Sequence, residues 1–588
     1  MKDLNYTDIT WIPRSRCQTT GRVTLSFALA DILVDAGVKY AFGIVGGGNA
    51  PLAEALDLSA IEVWHTRHES GAGFAATEAS LASGSPVVVF VTTGPGLLNV
   101  LNGVCAARWD GATVILLSGS TNPEHKGRWP VQETSSYTMP IGDLYAAGKF
   151  FDFAVQMNSI AELSQIRRRI FTGIVRPQGF VAHISLPLAL QTALVPMHKE
   201  RTETSVYFSK TSVSGIDRVA SLLAGSPSAI WVGFGARHAA AEILDLAERT
   251  ESAVMCTPRA KGIFPEDHPL YLGVTGAGGH VSAEEYMERI HPDYVLVLGT
   301  RMGEASSFWS DRLIPQKGFI QVDVDPSATG VAFPNTPVIG IQSEIGAFLR
   351  EFTSRLPKTV EAKGRTGCFL TAPPRLVPRT EGSVRPRYLM QVLQQRVVEG
   401  SDALLMSESG NAFSWANHYL RFLEPDRYRT SALYGSMGHI VAGVVGAALA
   451  LDKKAVAIVG DGAMLMNNEI STAVSYNAKA VWVVLNDSRY GITHQAMKAQ
   501  GFNPVATEIP ATDFVALAKS MGADGVRVTT ETSLDMAMEA ALRADVPFVV
   551  DVVIDRSEIS PVLRKRIDSL KKQGAVGAND TNESGEDS

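Results

Sequence analysis

Two acidic residues that each follow an apolar strand pattern carry the strongest chemical signal in this 588-residue sequence. The run AVAIVG leads into Gly460-Asp461-Gly462, and 26 positions after Asp461 the run VWVVL leads into Asn486-Asp487. Because parallel strands end at the same edge of a sheet, we expect Asp461 and Asp487 to lie close together. The glycines that flank Asp461 let the backbone approach an anion closely, and two oxygen side chains on neighbouring strand ends suit a divalent cation that also binds phosphate. A tight turn capped by an Asp is the alternative that the tripeptide alone leaves open.

A repeated strand-then-helix pattern surrounds these acids and would position them. Short, almost continuously apolar runs recur along the chain, among them YAFGIV, VVVFV, AIWVG and AVWVVL. Such runs are typical of parallel strands buried on both faces. Helical stretches such as SGAGFAATEASLA and DFVALAKSMGA follow many of them. The alternation predicts an α/β fold of doubly wound parallel sheets.

Two stretches interrupt this pattern and divide the chain. Residues 188–213 turn polar and residues 354–386 are rich in Pro, Arg and Thr, so we interpret both as linkers. They predict three domains, at residues 20–187, 214–353 and 387–556. Residues 574–588 are polar and acidic, and we expect a disordered tail there.

Composition excludes several classes of protein. Lys and Arg total 53 against 60 Asp and Glu, a net charge of −7 that gives no basic footprint for nucleic acid. The four cysteines form no CxxC pair, which argues against a disulfide scaffold or a zinc ribbon and is typical of a reducing compartment. The N-terminal residues lack the apolar core of a signal peptide, and no apolar run is long enough for a membrane span. We therefore expect a cytoplasmic protein with small-molecule ligands.

Four segments resemble one enzyme family. The GDG motif with its second acid is similar to the thiamine diphosphate (ThDP) binding motif. Residues 66–104 (TRHESGAG to LLNVLNGV), RWPVQE at 128–133 and KGIFPEDHPLYLG at 261–273 resemble the acetolactate synthase and pyruvate oxidase group of ThDP enzymes. The resemblance covers roughly residues 20–555. It implies a pyrimidine-binding domain, a middle domain and a diphosphate-binding domain, in that order.

The resemblance assigns the cofactor's reactive end and its metal. Glu69 would hydrogen-bond the pyrimidine ring and take part in proton transfer. Asp461, Asp487 and the backbone carbonyl of Arg489 would hold Mg²⁺ on the diphosphate. Many family members have Asn where Asp487 stands, and Asp remains a good oxygen ligand. A helix-capping acid is the structural alternative for Glu69, and a turn Asp for Asp487.

Further cofactor contacts come from two loops and a strand end. YGSMGH at 434–439 resembles the loop that bends the cofactor, with Met437 between the two rings and the carbonyl of Gly435 accepting from the amino group. Plain core packing is the alternative for Met437. The remaining predicted contacts are Ser409, Gly410, Asn411, Gly462 and Ala463.

The substrate side has weaker signals. Gln132 matches the family's active-site glutamine, and His494 is a second predicted catalytic residue. Gly47, Lys149 and Ala496 are predicted to line the pocket, although a lone His or Lys is more often a surface or capped residue. Acetolactate synthases read GMVxQW after the metal site, whereas this chain reads GITHQA, with Ala496 in place of Trp. The pocket should therefore take a bulkier acceptor, unless position 496 is ordinary helix packing.

The resemblance implies decarboxylation of a 2-oxoacid followed by carboligation, the addition of the remaining fragment to a second carbonyl. A decarboxylase that releases an aldehyde and a catalytically inactive ThDP-fold binding protein are the alternatives. Relatives bind FAD, ADP or no nucleotide in the middle domain, so FAD is one alternative for residues 274–280, 299–304 and 323–327. The family also implies a homodimer at least, or a homotetramer, with Glu69 of one subunit facing Asp461 of its partner.

Overall fold

The structure is a computed structural model that describes residues 21–135, 137, 142–148, 150–196, 213–223, 228–356, 370, 373–466 and 469–563. Lys149 and the tail predicted at 574–588 lie outside the described residues. The chain divides into two compact units, one formed by residues 1–207 with Val445–Leu451 and the other by residues 208–444 and 452–588.

The first unit contains one six-stranded parallel sheet and a short antiparallel pair. Its strands are β1 (Arg22–Thr24), β2 (Tyr40–Gly43), β3 (Glu62–His65), β4 (Val87–Val91), β5 (Thr113–Ser120), β6 (Phe153–Gln156), β7 (Phe180–Pro187) and β8 (Leu194–Pro196). The sheet order is β3-β2-β4-β5-β7-β6, and β1 pairs with β8. Strand β3 pairs with one edge of β2, and the next strand in the chain, β4, pairs with the opposite edge. The carboxyl ends of β2 and β4 therefore border the crevice where doubly wound sheets bind ligands.

Helices cover this sheet. They are α1 (Leu25–Asp35), α2 (Ala50–Asp57), α3 (Glu69–Ser83), α4 (Pro95–Asp110), α5 (Leu163–Gly173) and α6 (Leu188–Gln191). Helices α3 and α4 touch through buried glycines: a Cβ built on Gly103 would lie 2.5 Å from the Cα of Gly73. That approach leaves no room for a side chain at either position.

The second unit holds two further six-stranded parallel sheets. The middle sheet has β9 (Ser228–Val232), β10 (Ala253–Cys256), β11 (Tyr271–Val274), β12 (Tyr294–Leu298), β13 (Gly318–Asp323) and β14 (Val338–Gln342), in the order β11-β10-β9-β12-β13-β14. The C-terminal sheet has β15 (Leu404–Ser407), β16 (Tyr428–Thr430), β17 (Ala455–Gly460), β18 (Ala480–Asn486), β19 (Asp524–Val528) and β20 (Phe548–Val553), in the order β16-β15-β17-β18-β20-β19. The chain reverses direction across the C-terminal sheet between β15 and β17, which predicts a ligand crevice there.

The remaining helices precede these strands or lie between them, and the last seven residues of the helix His439–Leu451 belong to the first unit. They are α7 (Val213–Leu223), α8 (Ala240–Thr250), α9 (Ser282–Ile290), α10 (Glu304–Ser307), α11 (Ile345–Thr353), α12 (Pro386–Leu393), α13 (Asn411–Tyr419), α14 (His439–Leu451), α15 (Asp461–Met464), α16 (Ile470–Ser475), α17 (Gly491–Ala499), α18 (Phe514–Ser520) and α19 (Glu531–Arg543). A π-helix at Gln394–Glu399 continues α12.

A buried ion pair joins the middle sheet to the C-terminal sheet. Nζ of Lys261 lies 2.8 Å from Oε2 of Glu266, and both side chains are fully buried. Lys261 also donates to the carbonyl of Asn417 at 3.3 Å, and the amide of Glu266 donates to the carbonyl of Phe422 at 3.2 Å. The KGIFPE segment therefore forms the junction of the two sheets within this unit.

The predicted fold class is confirmed, because all three sheets are parallel and alternate with helices. The linker predicted at 188–213 is wrong in its first part: Leu188–Gln191 is helical, and Leu194–Pro196 pairs with Arg22–Thr24. The exact domain limits stay a prediction. Among the described residues, no helix is both long and apolar enough to cross a membrane.

We predict that Gly103→Ala lowers the free energy of unfolding by about 1–3 kcal/mol, because the new methyl group overlaps the backbone of α3. Gly215→Ala in α7 is the matched control, since a Cβ there meets nothing described within 4 Å. It should stabilise by about 0.5–1 kcal/mol through helix propensity. Thermal unfolding of both variants checks this, and equal melting temperatures would contradict the close helix contact.

Candidate active site

The C-terminal sheet gathers most of the predicted cofactor residues at one edge. Strands β15, β17 and β18 are neighbours and run parallel. Their carboxyl ends lead into Ser409-Gly410-Asn411, Asp461-Gly462-Ala463 and Asp487 respectively. The structure therefore brings these three predicted segments together within one sheet, at the crevice between β15 and β17.

Asp461 and Asp487 form a buried pair of acids. The side chains are only 3% and 8% exposed, and the amide of Asp487 donates to Oδ2 of Asp461 at 3.1 Å. Oδ1 of Asp461 accepts from the amide of Gly462 at 2.7 Å. Burial, together with the charge of Asp487, raises the pKa of Asp461 to about 6. Burial likewise raises the pKa of Asp487, so a cation between the two would offset an unfavourable concentration of negative charge.

The two residues at the end of β18 face different partners. Nδ2 of Asn486 donates to Oδ1 of Asp551 at 2.8 Å and to the carbonyl of Thr512 at 3.2 Å. Asp487 is the residue that contacts Asp461. The neighbouring Asn486 is thus occupied in holding β18 to β20.

Arg489 balances the charge that Asp487 adds. Its Nε donates to Oδ2 of Asp487 at 2.8 Å, and both side chains are buried. A terminal nitrogen of the same guanidinium donates to the carbonyl of Arg556 at 2.8 Å. The sequence prediction concerned the backbone carbonyl of Arg489, and the role of the side chain was missed. The pairing leaves Oδ1 of Asp487 as the oxygen that Arg489 does not contact.

The side chain of Asn411 lies close to Gly491, as does that of Asp487. A Cβ on Gly491 would lie 2.9 Å from Nδ2 of Asn411 and 3.1 Å from Oδ2 of Asp487, so the absence of a side chain at Gly491 lets both residues approach it. Oδ1 of Asn411 is buried without a hydrogen-bond partner among the described residues. Helix α13 starts at Asn411 after Gly410, whose φ is +87° and which has no side chain to cap the helix. Carboxylates, an unsatisfied amide oxygen and an uncapped helix start fit a divalent cation with a diphosphate.

Gly435 and Met437 lie on the loop between β16 and α14. Gly435 has φ +76°, and a Cβ there would meet only the carbonyl of Ala432, at 3.8 Å. Met437 is 38% exposed, so its side chain is only partly packed against the described residues. The loop therefore has open space beside the Cα of Gly435, two residues before the partly exposed side chain of Met437.

Glu69 lies in the first unit, at the start of α3 next to α4. The side chain is half-buried, and Nδ2 of Asn99 donates to its Oε2 at 3.1 Å. A Cβ on Gly96 would lie 3.2 Å from Oε1, so the glycine leaves space for this carboxylate. Asn99 was missed in the sequence analysis, although it lies in the segment TTGPGLLNV that carries the family resemblance.

Gln132 is held near the carboxyl end of β4. Its backbone has φ +57°, and its Oε1 accepts from the hydroxyl of Thr93 at 2.9 Å. A Cβ on Gly94 would lie 3.2 Å from the Cα of Gln132. Gly47 lies on the exposed loop after β2, with open space where a side chain would be. Thr93 is a further residue that the sequence analysis missed.

His494 and Ala496 lie on α17, the helix that follows Asp487. Nδ1 of His494 contacts the hydroxyl of Thr507 at 2.9 Å, and burial together with Arg489 lowers the pKa of His494. Ala496 is half-buried. The Gln495 side chain donates to the carbonyl of Glu558 at 3.1 Å, which fixes α17 against the segment after β20.

The glycines of the middle domain have a packing role. A Cβ on Gly276 would lie 2.3 Å from the carbonyl of Ala305, and one on Gly299 would lie 2.7 Å from the carbonyl carbon of Gly235. Both glycines have positive φ, +69° and +63°. Close approach of backbone segments accounts for them without a bound nucleotide, so these residues lend FAD no support.

Protein-family models match three consecutive segments. Residues 23–139 match the N-terminal TPP binding domain of thiamine pyrophosphate enzymes, residues 216–352 the central domain and residues 408–552 the C-terminal TPP binding domain. Thiamine pyrophosphate, or TPP, is the same compound as ThDP. Together the three segments cover more than half of the chain.

Individual proteins are similar over most of their length. "Putative acetolactate synthase large subunit IlvB2" of Mycobacterium tuberculosis is 31% identical over 506 residues, which are 83% of this chain and 90% of that protein. The acetolactate synthase isozyme 1 large subunit of Escherichia coli is 26% identical, over 92% of this chain and 95% of that protein. A benzoylformate decarboxylase structure from Polynucleobacter necessarius has the same fold, with a TM-score of 0.80, 22% identity and coverage of 91% and 99%.

We predict that Asp461 contributes a loss of stability to the metal-free protein as pH rises from about 4 to about 6. With a folded pKa of about 6 against an ordinary 3.8, Asp461 holds a proton in the folded state that the unfolded chain has released. Asp461→Asn should flatten the profile in this window, whereas Asp57→Asn, at an exposed position of α2, should not. Melting temperature against pH measures it, and parallel wild-type and Asp461→Asn profiles would show that Asp461 does not titrate there.

Proposed function

We propose that this chain, which belongs to the thiamine pyrophosphate enzyme family, decarboxylates a 2-oxoacid and ligates the remaining fragment to a second carbonyl. The observation that carries the proposal is the buried Asp461–Asp487 pair with Asn411 beside it, at the crevice of the C-terminal sheet. The similarity to acetolactate synthase large subunits supports ligation as the outcome.

The diphosphate end would be held by the C-terminal sheet. Asp461, Asp487 and the carbonyl of Arg489 would bind Mg²⁺, while the Arg489 side chain limits the negative charge at Asp487. The uncapped start of α13 would face phosphate oxygens. When bound, ThDP supplies the electron sink that accepts the bonding electrons of the departing carboxylate.

The proton chemistry would rest on the first unit. Glu69 would share a proton with the cofactor's pyrimidine ring, and the bond from Asn99 to Oε2 orients the carboxylate so that Oε1 faces the space beside Gly96. Gln132, oriented by Thr93, would donate its amide N–H to a substrate oxygen. We also propose at least a homodimer, with Glu69 of one subunit facing Asp461 of its partner.

Simple decarboxylation with release of an aldehyde is the second candidate. A benzoylformate decarboxylase has the same fold, so the fold is compatible with this reaction as well as with ligation. The two reactions differ only in what reacts with the fragment after CO₂ leaves, which is a second carbonyl in ligation and a proton in simple decarboxylation.

Product analysis separates these reactions. Incubation with ThDP, Mg²⁺ and a panel of 2-oxoacids should yield acetohydroxyacids or acyloins, identified by mass spectrometry.

Glu69→Gln should lower kcat by roughly two orders of magnitude or more, the scale of acid–base catalysis. Glu62→Gln, on the exposed start of β3, is the matched control and should remain active. Free aldehyde alone would establish the decarboxylase, and an active Glu69→Gln enzyme would remove Glu69 from the chemistry.

Ala496→Trp tests the acceptor pocket. The indole should lower kcat/KM for the acceptor by about tenfold or more, because an apolar pocket discriminates by about 1–3 kcal/mol per methylene, while donor decarboxylation changes little. Lys498→Trp, at an exposed position of the same helix, should affect neither step. An equal fall in both steps would mean that the cofactor is disturbed, and no change would place Ala496 outside the pocket.

A further inference from the structure

Glu408 is a fully buried carboxylate just after β15, and it joins three separate segments of the C-terminal domain. Its Oε1 accepts from the hydroxyl of Ser431 at 2.9 Å and from the amide of Ser409 at 3.0 Å. Its Oε2 accepts from the amide of Ile440 at 3.0 Å. Its own amide donates to the carbonyl of Ile458 at 2.9 Å, which anchors the residue to β17.

The donors to Glu408 mark the ends of a loop. Ser431 follows β16, and Ile440 is the second residue of α14, so the two carboxylate oxygens hold the two sides of the segment that contains Gly435 and Met437. Inside the loop, the amide of Gly435 donates to the carbonyl of Ser431 at 2.9 Å. Gly438 has φ +85° just before α14. Glu408 therefore supplies a hydrogen-bond acceptor at each end of this loop.

The third donor lies in the other loop. Ser409 is the first residue of the Ser409-Gly410-Asn411 segment, which leads to the uncapped start of α13. One side chain thus sets the spacing between the loop predicted to bend the cofactor and the loop predicted to contact its diphosphate. A hydrophobic residue of similar size would fill the space but would leave the amides of Ser409 and Ile440 without this acceptor.

Burial of the Glu408 carboxylate removes its hydration, which hydrogen bonds must replace. Burial raises the pKa of Glu408, while His439 and the hydrogen bonds from Ser409, Ser431 and Ile440 lower it. A buried carboxylate is tolerated when hydrogen bonds and nearby charge compensate for lost hydration, and charge-assisted bonds fix geometry more strongly than neutral ones. An acid at this position is therefore best explained by the geometry that it imposes on the two loops.

We propose that Glu408 is a positioning residue that fixes the loop carrying Gly435 and Met437 relative to the loop carrying Ser409 and Asn411, and so prepares both for the cofactor. The inference rests on the proposed function for the identity of the ligand. The arrangement of the loops is a property of the ligand-free chain, so it can be tested separately.

Glu408→Gln is the decisive variant, because it keeps the side-chain size and replaces one acceptor oxygen with an NH₂ group. Glu531→Gln is the matched control: Glu531 is also fully buried in the same domain, and it accepts from the amides of Arg379 and Arg385, which belong to neither loop. Three readouts apply to each protein, namely the melting temperature, the Kd for ThDP with Mg²⁺ by calorimetry, and amide hydrogen exchange without ThDP.

Both variants should melt at a lower temperature than the wild type. Only Glu408→Gln should raise the ThDP Kd, by about tenfold or more, the scale of a lost hydrogen bond to a charged group. Only Glu408→Gln should speed amide exchange at residues 409–411 and 435–440. Wild-type-like Kd and exchange in folded Glu408→Gln would overturn the proposal. A wild-type protein that binds no ThDP would overturn the proposed function instead, and the exchange data would still decide the role of Glu408.

Ser431→Ala answers the question if Glu408→Gln does not fold, because it removes one donor and leaves the carboxylate in place. It should raise amide exchange at 435–440 and weaken ThDP binding by about threefold or more. Unchanged exchange and affinity in this variant would overturn the proposal as well.

Discussion

Two like charges buried side by side are the constraint on which the candidate site depends. Parallel pairing of β17 with β18 delivers Asp461 and Asp487 to the same edge of the sheet, where both side chains are almost fully buried. Neither acid can avoid the other, because each is fixed by the end of its strand. The chain reduces the cost locally through backbone amides and Arg489, and a divalent cation would offset the rest.

Buried charges elsewhere in the second unit follow a common pattern. The Lys261–Glu266 pair joins the middle sheet to the C-terminal sheet, and Glu531 binds Arg385 and the amide of Arg379. Glu408 binds three segments around the predicted cofactor loops. Each of these charges lies where segments distant in sequence meet. These charges fix how the segments lie relative to one another, because removing one partner leaves a buried charge or donor without compensation. The apolar clusters supply most of the stability.

The sequence pattern predicted the central strands better than the edges. Continuous apolar runs identified β4, β5, β17 and β18, which have neighbours on both sides. The pattern did not identify the edge strands β11, β14, β16 and β19, which have a neighbouring strand on one side only.

Strand β7 was missed for a different reason. It is fully buried, yet it contains His183 and Ser185, which interrupt the apolar run. Ser118 on β5 contacts both of these side chains, at 2.8 and 3.0 Å, and so satisfies them. Only the pairing of β5 with β7 makes such polar residues compatible with a core.

The sequence by itself determined the fold class and the edge at which Asp461 and Asp487 gather, because strand periodicity and the rule for carboxyl ends act over short stretches of chain. The family resemblance identified Glu69, Gln132 and Met437 as candidate site residues. Only the tertiary structure decided that Asn411 and Asp487 both approach Gly491, that the Arg489 side chain pairs with Asp487, and that Glu408 accepts hydrogen bonds from Ser409, Ser431 and Ile440. These contacts depend on which backbone segments approach within hydrogen-bonding distance, and that is set by the packing of strands and helices rather than by any local pattern of residues.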